Sequence, residues 1–85
     1  MEYVYVLQSK EDNKSYVGWT DDLRVRFLKH AAGRVFSTKS RLPLILIYYE
    51  ACFNREDAKK REKYLKTAWG KRYIKNRLRM YLLNS

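Results

Sequence analysis

The chain begins with the run Tyr3-Val4-Tyr5-Val6-Leu7 and, after Gln8 to Lys14, continues Ser15-Tyr16-Val17-Gly18-Trp19. Both runs are rich in β-branched and aromatic residues, the composition of strands. Ser9-Lys10-Glu11-Asp12-Asn13-Lys14 between them is made of turn formers, so the pair reads as a β-hairpin. Tyr5 and Tyr16 lie inside the two strands, eleven residues apart. A hairpin sets two such phenols side by side on one face where its register allows.

Outward from the hairpin, Thr20-Asp21-Asp22 offers N-caps for a helix running to about Ala32, with Gly33 as its stop. Leu23, Phe27 and Ala31 recur every four residues and predict its buried stripe, with Leu28 alongside. Arg26 and His30 stand at i and i+4, and they project together from the margin of that stripe. Arg34 to Leu42 is a basic, hydroxyl-rich loop, and Ser37-Thr38-Lys39-Ser40-Arg41 within it has phosphate-binding chemistry. Pro43 marks the start of a third strand, Leu44-Ile45-Leu46-Ile47-Tyr48-Tyr49-Glu50. Its unbroken apolar run predicts a central, doubly covered position.

Asn54 is a good N-cap for a second helix, with Glu56 and Asp57 in the first turn where the helix dipole favours acids. Ala58, Arg61, Glu62 and Leu65 share one face of it. A third helix starts near Trp69-Gly70, with Tyr73, Ile74, Leu78, Tyr81 and Leu82 inward and Lys71, Arg72, Lys75 and Arg79 outward. The expected fold is therefore α+β, a small three-stranded, mainly antiparallel sheet flanked by helices in the order β-β-α-β-α-α. Its 85 residues suit one domain, expected to span residues 1–85.

The chain carries 19 Lys and Arg against 9 Asp and Glu, a formal charge of +10. Residues 54–85 hold eleven basic and three acidic side chains, a net of +8, while residues 1–53 hold eight and six, a net of +2. That asymmetry points the C-terminal third towards a polyanion. One cysteine excludes an internal disulfide, and with one histidine it excludes a Cys/His zinc site. The N-terminus lacks the pattern of a signal peptide, so a reducing cytoplasm is the expected setting. Cys52 reads as a small buried hydrophobe, and Trp19 and Trp69 as anchors of the core or of helix starts.

Glu62 is the only acid between Lys59 and Lys66, on a face shared with Ala58 and Leu65. A half-buried carboxylate among cations implies an ion pair or a metal. In its order of elements and motifs the chain resembles the GIY-YIG nuclease domain, over essentially all of its length. The second signature stands as Tyr16-Val17-Gly18, and the first as Tyr3-Val4-Tyr5, with tyrosine in place of its glycine. The family's arginine, eight residues after the second-motif glycine, falls on Arg26, and the histidine or tyrosine that follows four later falls on His30. Its glutamate falls on Glu62 and its late asparagine on Asn76. The nearest likeness is to short, single-domain bacterial members related to the nuclease half of the excision-repair subunit UvrC.

The resemblance implies a metal-dependent endonuclease cutting DNA phosphodiester bonds, of the repair or recombination type. Tyr5, Tyr16, Arg26, His30 and Glu62 would be catalytic, with Glu62 holding one Mg²⁺ or Mn²⁺. Arg26 would bind phosphate oxygens through its planar fork. Tyr16 would act as general base or orient the water; a phenol with a pKa of about 10 needs nearby cations for that task. Lys39, Arg41, Lys71, Arg72, Lys75 and Asn76 would contact the nucleic acid, RNA not being excluded, and a protein partner could supply specificity. Each residue also has a plainer reading: cross-strand packing for the tyrosines, an Asp22 pair for Arg26, the helix dipole for His30, a Lys66 pair for Glu62. The rival functions are a binding module that no longer cuts, and an adaptor for an acidic protein.

Overall fold

The computed structural model describes residues 1–84. Strands β1 (Glu2–Ser9) and β2 (Ser15–Thr20) form the hairpin, followed by helix α1 (Leu23–Ala31) and strand β3 (Leu44–Cys52). Helices α2 (Arg55–Leu65), α3 (Ala68–Arg77) and α4 (Arg79–Leu83) complete the chain. The expected last helix is thus broken at Leu78, which closes α3 and precedes α4. Both strand pairs are antiparallel, in the order β2-β1-β3.

β1 is therefore the central strand and β3 an edge, the reverse of what the apolar run of β3 suggests. Val4 to Ser9 are all buried, whereas exposure varies along β3 and Tyr49 is 54% exposed. The run arises because β3 feeds both faces, and its pairing with β1 shifts register between Val6 and Leu7. Val4 and Val6 pack on one face against Ala58 and Leu65 of α2 and Ile74 of α3. Tyr5 and Leu7 pack on the other with Leu44, Leu23 and Phe27. The sheet thus divides two small cores, and Tyr5 belongs to the second.

The caps fall close to where the side chains predict them. Asp22 accepts from the Val25 N–H, and Asn54 from those of Glu56 and Asp57. Gly33 follows α1 with φ +74°, the left-handed conformation that stops a helix. α2 is clasped to β3 by Arg61, whose guanidinium grips Glu50 in two-pronged fashion at 2.9 Å. The same guanidinium stacks over Tyr64 and Tyr73.

Several expected burials differ, and Tyr73 and Tyr81, expected inward, are 36% and 38% exposed. Ala31 is exposed and Leu28 is 58% exposed, while His30 is fully buried, so α1 turns its Arg26/His30 side inward. Trp69 starts α3 but is 67% exposed, with the Arg72 guanidinium over its ring instead of core around it. Trp19 is half-buried against the first core and donates its indole N–H to Glu2. Cys52 ends β3, half-buried on the same core.

Candidate active site

β1 and β2 set Tyr5 opposite Gly18 and Leu7 opposite Tyr16, so the two phenols are diagonal neighbours on one face. Their ring centroids are 6.5 Å apart. A Cβ on Gly18 would overlap the Tyr5 hydroxyl, so the glycine is what lets the Tyr5 ring lie across β2. α1 brings two further side chains to that hydroxyl. Arg26 Nε donates to it at 3.4 Å, and His30 Nε2 lies 2.9 Å from it.

His30 is wholly buried, with Tyr5 on one ring nitrogen and Thr38 Oγ1 at 2.8 Å from Nδ1 on the other. Thr38 is buried as well. Tyr16 packs its ring 5.2 Å from that of His30. Burial raises the Tyr5 pKa above its ordinary value, against the opposing hydrogen bond from Arg26, so the phenol is protonated at neutral pH. Burial and, second, the Arg26 charge lower the His30 pKa to about 4, so the imidazole is neutral. The Tyr5 bond in turn raises the Arg26 pKa.

Donor balance assigns the hydrogens. Arg26 can only donate, the protonated phenol needs an acceptor, and the neutral imidazole has one N–H. The chain therefore runs from Arg26 to Tyr5, from Tyr5 to His30 Nε2, and from His30 Nδ1–H to Thr38. Thr38 gave no signal of this role in the sequence, where its loop reads as a phosphate binder.

Glu62 is half-buried on α2 and pairs with Lys66 at 3.2 Å, as the plainer reading expects. Its charge nevertheless reaches the cluster, adding the smallest of the upward pushes on Tyr5. Among the described residues no three His, Cys, Asp or Glu side chains converge. Glu62 is the carboxylate whose charge reaches the cluster and that could hold a divalent ion. Mg²⁺ is commonly bound by one or two carboxylates plus phosphates, so the donor set fits a hard cation.

The other expected contacts lie outside the cluster. Lys39 is exposed, its ammonium over the Phe36 ring. Arg41 is half-buried and paired with Asp12 at 3.3 Å. Lys71, Arg72, Lys75 and Asn76 are exposed on α3, and Asn76 makes no hydrogen bond with the cluster among the described residues. No Asp22–Arg26 pair forms there either, since Asp22 caps α1 and Arg26 turns to Tyr5.

Two consequences are measurable. Gly18→Ala must displace the Tyr5 ring, at about 1–3 kcal/mol for an overpacked interior. In a Tyr5→Leu background, which removes the overlapping hydroxyl and ring carbons, the same substitution costs measurably less in a thermal-unfolding double-mutant cycle. The second concerns acid. The unfolded chain protonates His30 near its ordinary 6.5, the folded one only near 4. Between those values the unfolded state holds more protons, so stability rises with pH and is lost on acidification. His30 accounts for about 3 kcal/mol of that loss by pH 4. Urea midpoints measured from pH 7 to 4 fall less steeply in His30→Gln than in wild type.

The model of the GIY-YIG catalytic domain matches residues 1–79. The chain is 40% identical over 67 residues to UPF0213 protein CPE1444 of Clostridium perfringens, covering 78% of this chain and 71% of that protein. It is 38% identical over 66 residues to UPF0213 protein SH2523 of Staphylococcus haemolyticus, covering 76% and 79%. No solved structure gives a significant match. The chain belongs to the GIY-YIG catalytic domain family, a family of nucleases.

Proposed function

We propose that the protein is a metal-dependent endonuclease that hydrolyses DNA phosphodiester bonds at structured or damaged sites, in repair or recombination. The observation that carries this reading is the bonded series Arg26–Tyr5–His30–Thr38, with Tyr16 against it and Glu62 within electrostatic reach.

Hydrolysis needs a deprotonated water and compensation for negative charge growing on the phosphate and on the leaving oxygen. Arg26 is held by Tyr5 at Nε, which orients its guanidinium for non-bridging phosphate oxygens. Tyr16 takes the water proton or orients the water. Tyr5 and neutral His30 hold Arg26 and Tyr16 in place, and Thr38 fixes the His30 tautomer. Glu62, freed from Lys66, would hold Mg²⁺ or Mn²⁺. The ion, when bound, supplies Lewis-acid charge at the phosphate and leaving group. The basic face of Lys71, Arg72 and Lys75 holds the backbone without reading sequence.

Incubation of plasmid, branched DNA and RNA with Mg²⁺ or Mn²⁺, each against EDTA, tests the proposal. Cutting is expected only with the divalent ion, and branched DNA is cut faster than linear duplex. Salt-sensitive binding without cutting in either metal would replace the reading by a non-catalytic binding module. Binding indifferent to salt would remove nucleic acid altogether.

A further inference from the structure

On the opposite side of the sheet from Tyr5, a groove of about 580 Å³ lies between the hairpin and α3. Its floor is apolar, with Val6, Val17, Leu65 and Ile74 among its lining residues. Lys14, Lys71 and Lys75 stand around it, and none of the three has a carboxylate partner among the described residues. Three unpaired ammoniums over an apolar floor call for an anion with a flat or apolar body.

One polar side chain sharpens that chemistry. Gln8 lines the groove and is only 5% exposed. Its Oε1 accepts from the Tyr81 hydroxyl at 2.9 Å, and its Nε2 makes no hydrogen bond among the described residues. Since no fully buried side-chain polar atom among the described residues is without a partner, this amide nitrogen stays accessible, on a side chain that lines the groove. A buried amide donor set in an apolar floor suits the edge of a nucleobase, which presents carbonyl and ring-nitrogen acceptors. A hydrocarbon chain would have no use for it. The volume falls within the range of small-ligand pockets, of order 300–1,000 Å³.

Although the groove and the proposed cutting site lie on opposite faces, they meet at β2, an edge strand of the sheet. Tyr16 belongs to both, and Lys66, which lines the groove, is the partner of Glu62. We infer that the groove receives one unpaired nucleotide of the substrate, its base on the apolar floor against Gln8 and its flanking phosphates on Lys14, Lys71 and Lys75. The substrate class is then nucleic acid with an unpaired nucleotide beside the scissile phosphate. This rests on the nuclease reading above, because it takes Tyr16 and Glu62 as the place of cutting.

The test is fluorescence anisotropy in EDTA, with two labelled duplexes that differ by a single bulged adenine. Wild type is expected to bind the bulged duplex about tenfold more tightly, of the order that one stacked base contributes. The Lys71→Gln/Lys75→Gln variant, altered only on an exposed helix face, and Gln8→Leu should each bring the ratio to within about twofold. If Gln8→Leu fails to fold, the lysine variant decides. Equal affinity for both duplexes in wild type, or a preference that survives the lysine variant, overturns the inference. Adding Mg²⁺ or Mn²⁺ to the same samples separates the two readings. A bulge preference without cutting upholds the groove and removes the nuclease, whereas cutting without preference does the reverse.

Discussion

Gly70→Ala lowers the stability of the protein by about 3 kcal/mol or more. Helix propensity alone predicts the opposite sign, because alanine is about 1 kcal/mol better than glycine inside a helix. Position 70 is exceptional through its neighbours. α2 ends at Leu65 and α3 begins at Ala68, and Thr67 ties the corner, donating to the Tyr64 carbonyl and accepting from the Gly70 N–H. Gly70 is buried there, and a Cβ on it would overlap the Tyr64 carbonyl oxygen and the Leu65 backbone. Backbone cannot rotate away as a side chain can, so the two helices must separate. Leu65 and Ile74 belong to the first core, and that separation opens it. A domain of this size loses roughly 4–8 °C of melting temperature per kcal/mol, so a fall of more than about 12 °C is expected by calorimetry. A melting temperature unchanged or raised would show that the corner is looser than described.

Arg26→Ala has the largest expected effect on cutting, a loss of about a hundred- to a thousandfold in single-turnover rate. That is the scale for removing one preorganised donor from a developing oxyanion. The arginine is half-buried and forms no ion pair among the described residues, so the fold should survive its loss. Arg26→Lys should recover little of the rate, since an ammonium cannot bond Tyr5 and grip a phosphate in the same fork geometry. Full rescue by lysine would reduce Arg26 to a point charge. An unchanged rate in Arg26→Ala would remove it from the site.

Much of the architecture was legible because its signals are local. Ser9 to Lys14 makes the hairpin, Asp22 and Asn54 cap the helices they precede, and Gly33 stops α1. The diagonal pairing of Tyr5 and Tyr16 followed once the hairpin register was set. What could not be read depends on partners distant in sequence. The apolar run of β3 reports its two covered faces but not which strand lies beside it, and β1 took the centre. Periodicity ranks apolar residues, so it favoured Ala31 over His30. A histidine buries at little cost only when both nitrogens are satisfied, here by residues 25 and 8 positions away. The same pairing makes Thr38 the support of His30, a role that its basic, hydroxyl-rich loop does not announce. At Gly70, nothing local reveals that the end of α2 lies against it.

The most direct measurement is cleavage of a branched duplex by wild type, Glu62→Ala and Arg26→Ala, with DNA affinity determined on the same preparations. Cutting by wild type that requires Mg²⁺ or Mn²⁺, lost in both variants while each still binds DNA, is the predicted result. Binding by wild type with no cutting in either metal, or cutting undiminished in both variants, would contradict it.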